Sequence, residues 1–255
     1  MQGESEQVRV AALYDVHGNL PALRAVLAEL DEIQPDLVVV GGDVCWGPMP
    51  GETLIALRSL GEKALFLRGN ADREVAERVV EGADPAVAEV TAWCADQLDD
   101  EQRTFLGALP QLQAIDVIGL GPTLFCHGSP RSDEESITEA TPQGDIEEMM
   151  RGVDERTVVC GHTHAHFDRR FPERRVVNAG SVGLQFGGRG AHWALLGPDV
   201  ELRVTGYDVQ AAAEEIRASG CPQVREFAEH VLYPPPADAA LAALAPQDEA
   251  DRRRG

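Results

Sequence analysis

Seven side chains in this sequence combine types and positions suited to holding cations: Asp15, His17, Asp43, Asn70, His127, His162 and His164. Each stands at or just beyond the end of an apolar run. Asp15 and His17 are two residues apart, so at the frayed end of a strand both side chains point the same way. A carboxylate and an imidazole aimed at one point make half of a metal site. Oxygen and imidazole donors without thiolate suit Mn, Fe, Zn or Ni. One histidine in such a place is ordinarily structural. Here four of the seven histidines occupy strand ends, alongside two carboxylates and an amide, and coincidence is the weaker account.

A scaffold has to deliver these positions to one place. Val8 to Leu13 predicts a buried strand, and Gly18-Asn19 supplies the turn after it. Pro21 suits the first turn of a helix capped by Asn19. Leu20, Leu23, Val26, Leu27 and Leu30 then recur at helical spacing until Pro35. Asp36 to Val40 predicts a second strand, ending in Gly41-Gly42-Asp43, and Lys63 to Leu67 a third, ending in Arg68-Gly69-Asn70. A helix over Gly51 to Leu60 separates them. This alternation is that of a parallel α/β sheet, whose strands deliver their C-terminal ends to one edge. Asp15, His17, Asp43 and Asn70 are therefore expected together.

From Asp72 to Leu109 the sequence predicts helices, with breaks near Gly82 to Pro85 and Leu98 to Asp100, that cover a sheet face or form a lid. Short strands follow at Leu112 to Ile118, Thr123 to Cys126, Thr157 to Cys160, Arg175 to Val177, His192 to Leu196 and Glu201 to Thr205. Only a helix over Pro142 to Met150 interrupts them. They predict a second sheet with hairpin character packed on the first. Helices over Val209 to Ala218 and Cys221 to Val231, then Pro234-Pro235-Pro236, close a single domain over 1–236. The Ala-rich, charged tail over 237–255 is expected to be poorly ordered.

A formal net charge of −21 over 255 residues repels polyanions, which disfavours bulk binding of nucleic acid or anionic membrane. A pocket made locally cationic by metal would still accept a small phosphate. No apolar run approaches the ~20 residues of a membrane span, and the first residues lack the basic and apolar regions of a signal peptide. The five cysteines, Cys45, Cys94, Cys126, Cys160 and Cys221, are odd in number and form no CxxC pair. Cys126 and Cys160 sit in apolar runs as small hydrophobes, and a reduced, cytoplasmic setting is expected.

In order along the chain, Asp15-Val-His17, Gly42-Asp43, Gly69-Asn70, His127 and Gly161-His162-Thr-His164 resemble the motif series of the calcineurin-like metallophosphoesterase superfamily. Gly47-Pro48-Met49-Pro50, His127-Gly128-Ser129-Pro130 and Asn178-Ala179-Gly180-Ser181-Val182-Gly183 are similar to its small bacterial and archaeal phosphodiesterase-like branch. The resemblance spans about Val8 to Leu196. It implies an α/β (α+β) fold of two mixed β-sheets packed as a sandwich and flanked by helices, the four-layer αββα arrangement. It also implies two divalent metal ions, manganese favoured. Asp15, His17 and His164 would hold one, Asn70, His127 and His162 the other, and Asp43 would bridge them. A small phosphate ester would then be hydrolysed by a metal-bridging hydroxide, with no serine or cysteine nucleophile.

Asn19 is placed to donate to the phosphate, and Ser181 lies in a turn that could approach the same site. His166 is expected to be an exposed loop residue, and His192 and His230 structural. One departure stands out. Many relatives carry a histidine after the motif asparagine to assist the leaving group, whereas this chain has Ala71. Losing such an acid costs about 10²-fold to 10⁴-fold on poor leaving groups and little on activated ones. Asp72 is the candidate replacement. The expectation is a phosphodiesterase favouring activated esters. The alternatives are a protein or nucleotide phosphomonoesterase and a non-catalytic scaffold of the same fold. Self-association into a homo-oligomer is left open.

Overall fold

The computed structural model describes residues 7–79, 82 and 84–239. The chain opens with β1 (Val10–Leu13), α1 (Leu20–Ile33), β2 (Leu37–Val40), α2 (Pro50–Arg58) and β3 (Ala64–Phe66), the last preceded by a single 3₁₀ turn. β1 pairs in parallel with β2, and β2 with β3. α1 forms where expected, with Asn19 accepting from the Ala22 amide as its N-cap and proline in its first turn.

The helical stretch resolves into α3 (Asn70–Glu77), α4 (Pro85–Gln97) and α5 (Asp100–Gly107), broken at the anticipated places. Beyond it come β4 (Leu112–Val117), β5 (Gly121–Cys126), α6 (Gln143–Met149), β6 (Thr157–Cys160), β7 (Phe167–Arg170), β8 (Arg175–Asn178), β9 (Ala191–Leu196), β10 (Val200–Thr205), α7 (Val209–Ala218) and α8 (Val224–Leu232).

Two mixed five-stranded sheets result, ordered β10-β9-β1-β2-β3 and β4-β5-β6-β8-β7. This departs from the expected partition in one respect. β9 and β10 join the first sheet, β9 running antiparallel beside β1. Local patterning could not decide this, because the choice of partner strand is made by the burial of β9, whose six residues are all buried. In the second sheet the hairpins lie only at the edges, and β5, β6 and β8 run parallel. The sequence reading missed β7. Its Phe-Asp-Arg-Arg is an edge strand burying only Phe167, and charged residues are what an exposed edge favours.

Strand alternation builds three cores. Val10, Ala12 and Tyr14 point between the sheets to meet Phe125, Val159 and Val177, while Ala11 and Leu13 point outward toward the helices. The outer face of the first sheet is covered by α1, α4, α7 and α8 through residues such as Leu23, Cys94, Ile216 and Phe227. α6 covers the second sheet through Ile146, beside Met150. The layers are thus helix, sheet, sheet, helix. Residues 240–255 of the expected tail lie outside the described residues.

Candidate metal centre

The C-terminal ends of β1, β2, β5 and β6 meet above the sandwich, and the histidines are aimed there by backbone carbonyls. His17 Nδ1 donates to the Trp46 carbonyl at 3.0 Å, His127 Nδ1 to that of Gly41 at 2.9 Å, and His164 Nδ1 to that of Leu184 at 2.8 Å. A ring whose Nδ1 carries the proton presents an Nε2 lone pair to whatever it faces. His17 Nε2 and His164 Nε2 lie 3.1 Å apart, two such lone pairs directed at one another. Asp15 Oδ1 is 3.3 Å from His164 Nε2 and 3.8 Å from His17 Nε2. Asp43 Oδ2 is 3.7 Å from His17 Nε2 and 3.4 Å from His127 Nε2, so it stands between the two groups.

Asp15, His17 and His164 form one cluster whose ligand atoms all lie within 4.8 Å of one another, and Asp43, His127 and His162 form another. Asp15 Oδ1, His127 Nε2 and His162 Nε2 in these clusters, and Asn70 Oδ1 at the start of α3, are buried and have no hydrogen-bond partner among the described residues. Buried polar atoms are normally satisfied, so three orphans within the two clusters, with a fourth at the start of α3, fit cations held among them. Asn70 opens α3, and its side chain bonds the Glu74 carboxylate one turn on. A carboxylate accepts only from the amide nitrogen, which leaves Asn70 Oδ1 facing inward.

Backbone strain marks the same residues. Asp15, His17, Asp43, His162 and His164 all have φ between 49° and 63°, and they are five of the eight non-glycine residues with positive φ among those described. Each such conformation costs about 1–3 kcal/mol and persists where the surroundings enforce it. The glycines of the motifs answer a different need. A Cβ on Gly69 would lie 2.1 Å from Asp43 Oδ1, and one on Gly161 2.5 Å from Asp15 Oδ2.

The electrostatics are those of a crowded, desolvated cluster. Burial and the neighbouring His164 hold His17 down at about 4, and burial with His127 does the same to His162. Burial alone would lower His127 too, but the adjoining Asp43 and Asp15 carboxylates keep it up at about 10, and Asp15 likewise raises His164. Both carboxyls stay below their usual range: burial opposes ionisation, yet the imidazoles around them prevail.

Several residues read from the sequence as chemical turn out to have other work. Asp72 is fully buried, and its oxygens accept from the amides of Asp43, Val44, Cys45 and Gly69. Burial and the Asp43 charge push it up to about 6 against those amides. Through these bonds it ties the loop after β2 to the start of α3, and its burial leaves no exposed oxygen for a leaving group. Asn19 spends its oxygen on Ala22 and its amide on the Gly183 carbonyl. Ser181 donates to the Asp15 carbonyl and accepts from Leu184. Ser181 has its one hydroxyl hydrogen committed, and Asn19 its oxygen and one amide hydrogen. His166 is half-buried, not exposed, and stacks on His192 at 4.5 Å.

Three residues support the ligands in ways not anticipated from the sequence, Asn178 having been noted there only as part of a motif. Glu74 orients Asn70, and the i, i+4 spacing within a helix was a readable signal. Trp46 backs His17, and Asn178 fastens the Gly161–His164 turn by donating to the Gly161 carbonyl at 2.6 Å and to Thr163 Oγ1 at 2.9 Å. Only the three-dimensional pairing identifies those two.

A helix-flanked double sheet carrying strained imidazoles and carboxylates at its joined strand ends defines a metallophosphoesterase fold. The chain belongs to the calcineurin-like phosphoesterase superfamily, whose domain it matches over residues 8–199. It is similar to a metallophosphoesterase from Sphaerobacter thermophilus at 26% identity and a TM-score of 0.71, covering 88% of this chain and 99% of the other. It shares its fold with a hypothetical protein from Pyrococcus horikoshii OT3 at 21% identity and a TM-score of 0.76, covering 88% of this chain and 97% of that one. Among curated proteins none matches significantly. No helix among the described residues is long and apolar enough to cross a membrane.

Proposed function

We propose that the protein is a dinuclear metal-dependent phosphodiesterase acting on a small phosphate ester. The observation that carries this reading is the pair of adjoining clusters, in which Asp15 Oδ1, His127 Nε2 and His162 Nε2 are buried and without a partner among the described residues and the Nε2 atoms of His17 and His164 face each other. Asp15, His17 and His164 would hold one cation, Asn70, His127 and His162 the other, and Asp43 would serve both. When bound, such a pair supplies Lewis acidity and an activated water at neutral pH. The donor set excludes thiolate and suits manganese, iron, zinc or nickel, with manganese our first choice.

The protein's own groups do the positioning. The Trp46, Gly41 and Leu184 carbonyls hold three imidazoles in the tautomer that ligates through Nε2. The Ala71 amide donates to Asp43 Oδ1 at 2.9 Å and leaves Oδ2 directed inward. Ala71 offers no proton to a leaving group, and with Asp72 engaged by amides the preference is for esters that leave unaided, activated diesters above alkyl monoesters. Five buried, unpaired cysteines favour a reducing, cytoplasmic setting.

The test is metal analysis alongside hydrolysis of bis(p-nitrophenyl) phosphate. The expected result is two equivalents of metal and activity that is abolished by chelator and restored by manganese. A folded protein that binds no metal and cleaves no ester would leave the scaffold alternative standing.

A further inference from the structure

Resting on that reading, we propose that a cavity of about 290 Å³ beside the His17 and His164 half of the centre receives a flat, uncharged aromatic group of the ester, an aryl ring or a nucleobase. Its walls are Trp46, Val87, Val90, Leu184 and Phe227, supplied by α4, α8 and the loops after β2 and β8. The cavity shares two walls with the metal centre. The Trp46 ring lies 5.6 Å from His17 on one side and 5.4 Å from Phe227 on the other, and its carbonyl accepts from His17. Leu184 lines the cavity while its carbonyl accepts from His164. Both carbonyl contacts are made at Nδ1, away from the Nε2 atoms that face the centre, so the recess begins behind the His17 and His164 rings, where a group extending from a phosphate seated among the ligands would lodge.

The recess is already formed. Trp46 Nε1 donates to Thr91 Oγ1 at 3.0 Å, which fixes the indole plane before any ligand arrives. Aromatic walls favour flat partners through offset and edge contacts. Gln223, Glu226 and His230 are further lining residues, and among the described residues no lysine or arginine belongs to it. A carboxylate without a compensating cation repels a second phosphate and accepts from an N–H edge. Polyphosphate chains are thereby disfavoured in this direction, and alkyl esters leave the recess unfilled. Pockets for organic ligands are of this kind, apolar with a few polar groups.

Calorimetric titration of the manganese-loaded protein with methylphosphonate, benzylphosphonate and adenosine 5′-phosphonate tests the assignment without turnover. At least one aromatic probe should bind about tenfold or more tightly than methylphosphonate, and the better of the two tells an aryl subsite from a nucleobase subsite. Val87→Trp, or Ala86→Trp should the first fold poorly, fills the recess from the half-buried face of α4. The variant should erase the aromatic advantage while keeping metal content and methylphosphonate affinity. Equal binding of all three probes, or an advantage that survives a folded Val87→Trp variant, overturns the subsite and leaves the hydrolase reading intact. A protein that takes up no manganese overturns the hydrolase reading, and the subsite falls with it.

Discussion

The two halves of the metal centre are held with different rigour. Where Asp15, His17 and His164 converge, both imidazoles have a carbonyl behind them, and Asp15 Oδ2 is fixed by the His162 amide at 2.9 Å. In the other half only His127 has such a carbonyl. The His162 ring has none among the described residues, and Asn70 relies on the side chain of Glu74. Outer partners of this kind are typically worth about 10-fold to 100-fold in metal affinity. The first half is therefore expected to load first and release last, with Asp43 as the residue through which the two depend on each other.

Asp43→Ala is the severest test of that dependence. It removes the carboxylate nearest to both His17 and His127, at 3.7 and 3.4 Å, where Asp15 lies at 3.8 and 3.9 Å. Loss of both metals and a fall in diester hydrolysis on the order of 10³-fold are expected. Retention of one tight metal, measured by equilibrium dialysis, would show that the halves are independent.

Asp72→Ala strikes the support of both halves at once. Four backbone amides, those of Asp43, Val44, Cys45 and Gly69, lose a buried acceptor. At about 1–3 kcal/mol for each donor left bare, relaxation and water entry notwithstanding, a loss of at least 3 kcal/mol in denaturant unfolding is expected. A stability change below 1 kcal/mol would mean that the loop after β2 is fastened elsewhere.

A pH series compares the halves by their protons. Metal binds the neutral imidazole. In the metal-free protein His17 and His162, at about 4, are already neutral at pH 7, whereas His127, at about 10, still carries its proton, and His164 is raised as well. The His127 half thus has a proton to give up. Raising the pH from 7 toward 9 should strengthen metal binding at the His127 half about tenfold per unit, with proton release visible as a buffer-dependent heat. A flat profile would show that His127 is neutral before metal arrives.

How much of this was legible in the sequence follows from what each residue spends its polarity on. All seven proposed ligands were visible because polar groups breaking apolar strands have no packing reason to be there, and the βαβ pattern placed four of them on one edge. Asn19, Ser181 and Asp72 looked the same in sequence, yet their side chains bond nearby backbone groups, which only the folded loops reveal. The five positive φ angles were equally hidden, since aspartate and histidine, though more tolerant of that conformation than most residues, adopt it too rarely to signal it as glycine does. The transfer of β9 and β10 to the first sheet was hidden too, because strand pairing at long range is decided by which buried face has an open neighbour.

Glu74→Ala is the mildest change and addresses one half only. Without the carboxylate, the Asn70 amide is free to turn, and its oxygen is no longer held toward the second cation. Tenfold weaker binding of the second metal is expected, with the first unchanged. Glu74→Gln separates orientation from charge: its amide oxygen still accepts from Asn70, so the conservative variant should recover most of the affinity. If glutamine proves as damaging as alanine, the negative charge near Asp43, not the hydrogen bond, is what the second half requires, and the difference between the halves is electrostatic rather than geometric.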